Sequence, residues 1–127
     1  MIVHLDTSVL VDALTGPRRS SAALERTIAD GHVIAISALA RYEWLRGPRT
    51  AEELEDQEAL LPAESVWGFG PAEADRAAAL YRTLPRARGR DMDIAIAACA
   101  LAHGARLWTL NPADFHDMPG VQLYDRR

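Results

Sequence analysis

The chain has 127 residues, of which 49% are hydrophobic and 25% are charged, and its formal net charge at pH 7 is −4. This size and balance predict a single globular domain over residues 1–127, and the negative charge argues against a protein that coats nucleic acid nonspecifically. All fourteen basic residues are arginine, which excludes mechanisms that need a lysine, such as a phosphate-loop lysine or a Schiff base.

Strands and helices alternate along the sequence. Apolar periodicity, capping residues and Gly or Pro breakers predict, in the first half of the chain, a strand at 2–5, helices at 7–14 and 20–29, a strand at 33–36, a helix from Ser37 to about residue 46 and a helix beginning at Thr50. In the second half they predict a strand at 66–69, a helix beginning at Pro71, a basic loop at 85–90, a helix from 91 or 92 that Gly104 ends, a strand at 106–110 and an edge strand at 122–124. This order predicts an α/β fold with a mainly parallel central sheet of four to five short strands. In such sheets, functional sites form at the carboxyl ends of the strands, where Asp6 and the segment 111–114 fall.

The expected location is the cytoplasm. The sequence has no apolar stretch long enough to span a bilayer and no signal-peptide cleavage pattern, so no membrane partner is predicted. The lone cysteine, Cys99, cannot form an internal disulfide, and its alanine-rich surroundings predict a packing role.

Four acidic residues adjoin segments that are predicted to be buried: Asp6, Glu43, Asp93 and Asp114. An unpaired charge beside a buried segment is costly, and a hard divalent cation between several carboxylates is one economical way to keep them together. The four histidines have no paired ligand spacing, which argues against zinc. The pattern therefore predicts a metal-dependent enzyme that acts on phosphate esters.

Asp6 and Glu43 each have a purely structural alternative. Asp6 could cap the helix that follows it, although Thr7 and Ser8 could do so equally well. Glu43 could form a surface ion pair with a nearby arginine, but helical spacing places it beside apolar Trp44 on a half-buried face. A functional role is favoured for both.

The remaining acidic residues lie in two clusters. Asp91 and Asp93 point about 200° apart if both are helical, so we predict Asp93 as the ligand and Asp91 as an N-cap or a supporting residue. Asn111 and Asp114 could be ordinary turn residues around Pro112, or they could supply one neutral and one anionic oxygen to a site.

The order of the motifs resembles that of the PIN-domain ribonucleases, and within them that of the VapC toxins of bacterial toxin–antitoxin systems. The resemblance covers nearly the whole chain and rests on four segments, at 5–11, 37–47, 93–104 and 107–115. It implies an α/β/α sandwich, a Mg²⁺ or Mn²⁺ cofactor, a homodimer and a cognate VapB-type antitoxin. The implied activity is cleavage of a structured RNA, either tRNA or rRNA, by metal-activated water.

By position, Asp6, Glu43 and Asp93 match the first three acidic positions of that family, with Asp6 and Asp93 expected to bind the metal. The fourth position falls at Asn111, and Asp114, three residues later, is the expected substitute. This departure leaves open whether one or two metal ions bind.

Neutral and basic residues are expected to support this site. We predict that hydroxyl groups bond to the carboxylates or to a phosphate, from Thr7, Ser8 and Thr109. We predict that RNA phosphates contact the arginines shortly before Asp93, namely Arg82, Arg86, Arg88 and Arg90, although a solvated arginine surface is the alternative.

Other phosphoryl enzymes fit the sequence less well. A haloacid-dehalogenase phosphatase needs a second Asp two residues after Asp6, where Ser8 stands, and commonly a lysine. A receiver domain fails because it also needs a lysine. A catalytically silent PIN-like module that binds RNA or protein remains the alternative to the nuclease.

Overall fold

Three parallel strands form the central sheet of the structure, a computed structural model that describes residues 1–125. Arg126 and Arg127, which end the predicted domain, lie outside the described residues. The strands are β1 (Ile2–Leu5), β2 (Val33–Ala35) and β3 (Arg106–Trp108), and their order in the sheet is β2-β1-β3. In the parallel register, His4 pairs with Ala35 on one side and with Leu107 on the other.

Helices cover both faces of this sheet. Within residues 1–125 they are α1 (Thr7–Leu14), α2 (Ser21–Ala29), α3 (Ala38–Arg46), α4 (Ala51–Leu60), α5 (Pro71–Thr83) and α6 (Asp91–Ala102), with short 3₁₀ helices at Ala63–Ser65 and Pro112–Asp114. Local signals explain several of the ends. Thr50 and Glu53 form a complete capping box before α4, and Gly104, at a φ of 61°, follows the end of α6.

Alternating side chains divide the core into two halves. Val3 and Leu5 of β1 pack with α1 and with Trp44 of α3 on one face of the sheet. On the other face, Leu107 of β3 packs with the buried side of α6, including Ile96. The predicted α/β/α arrangement is therefore confirmed.

The predicted strand count was too high. The segment 66–69 forms only an isolated bridge between Trp67 and Ser37, because Gly68 and Gly70 interrupt it before α5 begins. The segment 122–124 likewise forms a single bridge, between Leu123 and Leu107.

Two further boundaries differ from prediction for local reasons. Ser20 precedes α2 rather than beginning it, because its hydroxyl donates to Asp12 at 2.6 Å. The third strand ends at Trp108, since the next residues turn and the backbone N–H of Asn111 donates to Thr109 Oγ1 at 3.0 Å.

His4 is a core residue of β1. Its side chain is fully buried, and its Nε2 accepts a hydrogen bond from the backbone N–H of Ser37 at 3.0 Å. Burial, assisted by the nearby charge of His103, lowers the pKa of His4 to about 3. The imidazole is therefore neutral at physiological pH.

None of the helices within residues 1–125 has the length and apolar character needed to cross a lipid bilayer.

Candidate active site

Four acidic side chains from four elements lie at the carboxyl edge of the sheet. Asp6 directly follows β1, Glu43 lies in α3, Asp93 lies in the first turn of α6, and Asp114 ends the 3₁₀ helix after β3. The charges of the other three all act on Asp93. The fold thus brings together the four carboxylates that the sequence singled out.

Asp6 is buried and is held by two hydroxyl groups. Its Oδ2 accepts hydrogen bonds from Ser8 Oγ at 2.9 Å and from Thr109 Oγ1 at 2.7 Å. Asp6 occupies the N-cap position of α1, yet its side chain makes no capping hydrogen bond. The helix-cap interpretation of this residue was therefore wrong, and its carboxylate is oriented toward the site.

The same two hydroxyls tie the end of β3 to the beginning of α1. Ser8 Oγ accepts a hydrogen bond from the backbone N–H of Leu110 at 3.1 Å and lies 3.4 Å from Thr109 Oγ1. These bonds join residues about one hundred positions apart in the chain, for example Ser8 and Leu110 at a separation of 102. Ser8 and Thr109 therefore fix Asp6 against the second element of the site.

Glu43 accepts one short and one long hydrogen bond. Thr7 Oγ1 donates to its Oε1 at 2.7 Å, and Arg46 donates to its Oε2 at 3.4 Å. The surface ion pair that was the structural alternative for Glu43 is thus present but long, and the side chain of Arg46 is 55% exposed against 18% for Glu43. An exposed pair of this kind contributes about 0.3–0.5 kcal/mol, so the Thr7 bond is the better constraint on Glu43.

The pKa of Asp93 is raised by its surroundings. Burial first, and then the charges of Asp6, Asp114 and Glu43 in that order, raise its pKa to about 6, while Arg90 opposes the shift. Burial and neighbouring like charges together produce this effect, and perturbed carboxyl groups of this kind cluster at functional sites.

Asp114, rather than Asn111, supplies the fourth charge. Asp114 is among the charges that raise the pKa of Asp93. Asn111 is exposed, and its backbone N–H donates to Thr109 Oγ1 at 3.0 Å. Asp114 is exposed as well, and its role as the substitute for an acidic residue at position 111 stays a prediction.

Arg90 holds the Asp114 segment against α6. Its guanidinium donates to both carboxylate oxygens of Asp117, at 2.9 and 2.7 Å, to the carbonyl of Asp114 at 2.8 Å and to the carbonyl of Arg86 at 3.0 Å. The predicted role of Arg90 as a phosphate contact does not fit a guanidinium engaged in this way. Asp117 was missed from the sequence because an acidic residue in a surface turn carries no local sign of its partner.

Asp91 is placed differently from its prediction. It is the first residue of α6, whose N-cap is Arg90, so the N-cap role was wrong. Asp91 lines a cavity of about 490 Å³ between α5 and α6, together with Tyr81 and Arg82. It is not among the charges that shift Asp93.

Several carboxylate oxygens remain available for a ligand. Within residues 1–125, no hydrogen bond reaches Oδ1 of Asp6 or either carboxylate oxygen of Asp93 and Asp114. In the same part of the chain, no three His, Cys, Asp or Glu side chains are arranged to hold a metal ion as they stand. For three of these side chains to hold one cation together, the carboxylates would have to close in from this arrangement.

Substituting Asp93→Asn is expected to stabilise the cation-free protein. The raised pKa of Asp93 means that the folded state binds more protons than the unfolded state from about pH 4 to pH 6. The stability that comes from protonated Asp93 is therefore present below pH 4 and is lost as pH rises through 6. Because Asp93 is partly exposed, the expected gain for the variant at pH 7.5 is only about 1–2 kcal/mol. This gain exceeds the roughly 0.3–1 kcal/mol that the variant loses because the N-terminus of α6 favours a negative charge.

The measurement is urea unfolding in EDTA at several pH values. Asp75→Asn, on the exposed part of α5, is the matched control and is expected to leave stability unchanged. A variant at position 93 that is no more stable than wild type at pH 7.5 contradicts the repulsion.

The chain is similar to known proteins over nearly its full length. Residues 3–121 match the family described as "PIN domain". "Ribonuclease VapC19" of Mycobacterium tuberculosis is 35% identical over 122 residues, which cover 93% of this chain and 95% of that protein.

Solved structures share the fold. "Crystal structure of VapBC2 from Rickettsia felis bound to a DNA fragment from their promoter" contains a chain with a TM-score of 0.82 and 24% identity, covering 100% of both chains. A chain of "Toxin-antitoxin complex from Klebsiella pneumoniae" has a TM-score of 0.69 and 29% identity, covering 94% of both.

Proposed function

Because the chain belongs to the PIN-domain family, and within it to the VapC group, we propose that it is a metal-dependent endoribonuclease and the toxin of a type II toxin–antitoxin system. The relative from M. tuberculosis is named a ribonuclease, and the solved neighbours are toxin–antitoxin complexes. The proposed substrate is a structured RNA, either tRNA or rRNA.

The observation that carries this proposal is the set of four carboxylates around Asp93. A PIN-like module that only bound RNA would have no use for anions that repel both each other and the RNA backbone. The charges that raise the pKa of Asp93 have a cost in stability, and a catalytic cation removes that cost.

The donor set fits Mg²⁺ or Mn²⁺. All of its candidate ligands are hard carboxylate oxygens, and the unbonded oxygens belong to Asp6, Asp93 and Asp114. Asp6 and Asp93 would hold the cation, with Glu43 and Asp114 completing its surroundings. When bound, such a cation supplies an acidified water molecule and neutralises charge on the phosphate.

The protein's own residues orient the reaction. Ser8 and Thr109 fix Asp6, and Thr7 fixes Glu43, so the carboxylates keep their directions as a phosphate approaches. Outer hydrogen bonds of this kind typically contribute about 10–100-fold in metal affinity or activity.

Three of the predicted arginines remain candidates for RNA contact. Arg82, Arg86 and Arg88 are exposed, and their side chains form no hydrogen bond or ion pair within residues 1–125. Guanidinium groups match phosphate oxygens, and these three lie on α5 and on the loop leading to Asp93. Arg90 instead positions Asp114.

The proposed protein partners are a VapB-type antitoxin and a second copy of the chain. The antitoxin follows from the neighbours, which are named as VapBC or toxin–antitoxin complexes. A homodimer agrees with two large apolar side chains left exposed on α3, Tyr42 at 54% and Leu45 at 47%.

The test of this function is RNA cleavage by the purified protein with Mg²⁺, with Mn²⁺ and with EDTA, alongside Mn²⁺ binding measured by electron paramagnetic resonance. We expect cleavage only with a cation, and we expect Glu43→Gln to weaken both Mn²⁺ binding and cleavage by at least about tenfold. Glu58→Gln is the matched control, because Glu58 pairs with Arg41 away from the site. Cleavage that persists in EDTA, or equal behaviour of the two variants, contradicts the proposal.

A further inference from the structure

A second cavity opens directly beside the acidic site. Its volume is about 410 Å³, and it lies between the first turns of α1 and the loop that follows α1. Thr7 and Ser8 line it, and these are the residues whose hydroxyls hold Glu43 and Asp6. A ligand in this cavity therefore adjoins the place where a phosphate would be cleaved.

The walls of this cavity combine apolar and polar groups. Val11 and Leu110 supply apolar surface, and Leu110 is 44% exposed although it is a leucine next to the site. Asp12 adds a carboxylate, one oxygen of which is taken by the Ser20 hydroxyl at 2.6 Å. Its volume falls in the range of about 300–1,000 Å³ that is usual for small-ligand sites.

Arg19 lies at this cavity as a cation without a protein partner. Its side chain is exposed and forms no hydrogen bond or ion pair within residues 1–125. The neighbouring Arg18 instead pairs with Asp56 at 3.0 Å and does not line this cavity. An unpaired arginine beside a group of carboxylates offsets their repulsion of an approaching polyanion.

We propose that this cavity binds the RNA nucleotide next to the scissile phosphate, with Arg19 on its phosphate and Leu110 against its base. This assignment rests on the proposed ribonuclease function and extends it to the path of the RNA. Arg19 is placed on the phosphate because guanidinium groups match phosphate oxygens and because its side chain has no protein partner within residues 1–125. Bases of unpaired RNA are commonly recognised by apolar or stacking contacts, which places the base against Leu110.

The test compares Arg19→Gln with its matched neighbour Arg18→Gln, both in an Asp6→Asn background that prevents cleavage. Binding of labelled total tRNA and of a labelled oligouridylate is measured by fluorescence anisotropy over a range of salt concentrations. We expect Arg19→Gln to weaken binding roughly three- to tenfold at low salt and to reduce the slope of log Kd against log salt by about 0.7, the value for one phosphate contact on single-stranded nucleic acid. Arg18→Gln is expected to change neither quantity, and Leu110→Ser is expected to weaken binding without changing the slope.

The outcomes separate this inference from the function on which it rests. If wild type cleaves RNA but Arg19→Gln and Arg18→Gln bind it equally, the cavity assignment is wrong and the nuclease stands. If Arg19→Gln weakens only the binding of an antitoxin, the cavity is a protein site and the assignment is also wrong. If the wild-type protein neither binds nor cleaves RNA, the ribonuclease proposal fails and this inference fails with it.

Discussion

Asp6→Asn is expected to abolish RNA cleavage while leaving the fold intact. The substitution keeps the size of the side chain and an oxygen for Ser8 and Thr109, but it removes the most buried negative charge of the site. Loss of an outer hydrogen bond at a metal site typically costs about 10–100-fold, and loss of a ligand charge is expected to cost more, at least about a hundredfold in kcat/KM. The measurement is single-turnover cleavage of tRNA and rRNA with saturating Mg²⁺ or Mn²⁺.

Asp56→Asn is the matched control for this loss. Asp56 is a partly exposed aspartate that pairs with Arg18 on a different part of the surface, so its substitution is expected to leave cleavage unchanged. If Asp6→Asn retains more than about a tenth of wild-type kcat/KM, the loss is smaller than the roughly tenfold minimum typical of removing an outer hydrogen bond at a metal site. That result would contradict a catalytic role for the Asp6 carboxylate.

The second large effect concerns the pH dependence of stability and comes from His4. Its pKa of about 3 in the folded protein lies below its ordinary value of 6.5, so the unfolded state binds more protons between these values. Stability due to His4 is therefore present above pH 6.5 and is lost as pH falls toward 3. The loss is on the order of 2 kcal/mol by pH 5 and on the order of 4 kcal/mol by pH 3.

Substitution of His4 separates this effect from that of Asp93, which has the opposite sign in an overlapping window. The side-chain oxygen of His4→Gln can accept the Ser37 N–H but does not titrate. We expect wild type to lose stability between pH 7 and pH 5 in urea unfolding, and the variant to lose none or to gain slightly. His116→Gln, at an exposed position, is the control and should follow wild type. A wild-type pH slope in the His4 variant would falsify the assignment.

Local sequence signals were sufficient for most of the fold. The Thr50–Glu53 capping box, the Ser37 cap and the position of Asp6 at the end of β1 each depend on residues close together in the chain. Strand length was less predictable, because an apolar segment forms a strand only where its neighbour offers a matching edge. Trp67 shows this, since it bridges Ser37 but extends no further.

The site was predictable in its charges but not in its internal bonds. Residue type and placement singled out the carboxylates, whereas the pairing of Thr109 with Asp6 joins positions 103 residues apart. Arg90 shows the limit most clearly. Its residue type suits a phosphate, but the turn that brings Asp117 to it is fixed by tertiary packing around Phe115 and Met118, which the local sequence does not reveal.

The measurement that tests the central claim most directly is sequencing of new RNA 5′ ends after induced expression of wild type and of Asp6→Asn. The proposed function predicts discrete cleavage sites in tRNA or rRNA that appear only with wild type and that the purified protein reproduces with Mg²⁺ or Mn²⁺. Growth arrest without new 5′ ends, or the same ends with both proteins, would contradict catalysis at the Asp6 site and favour a module that binds without cleaving.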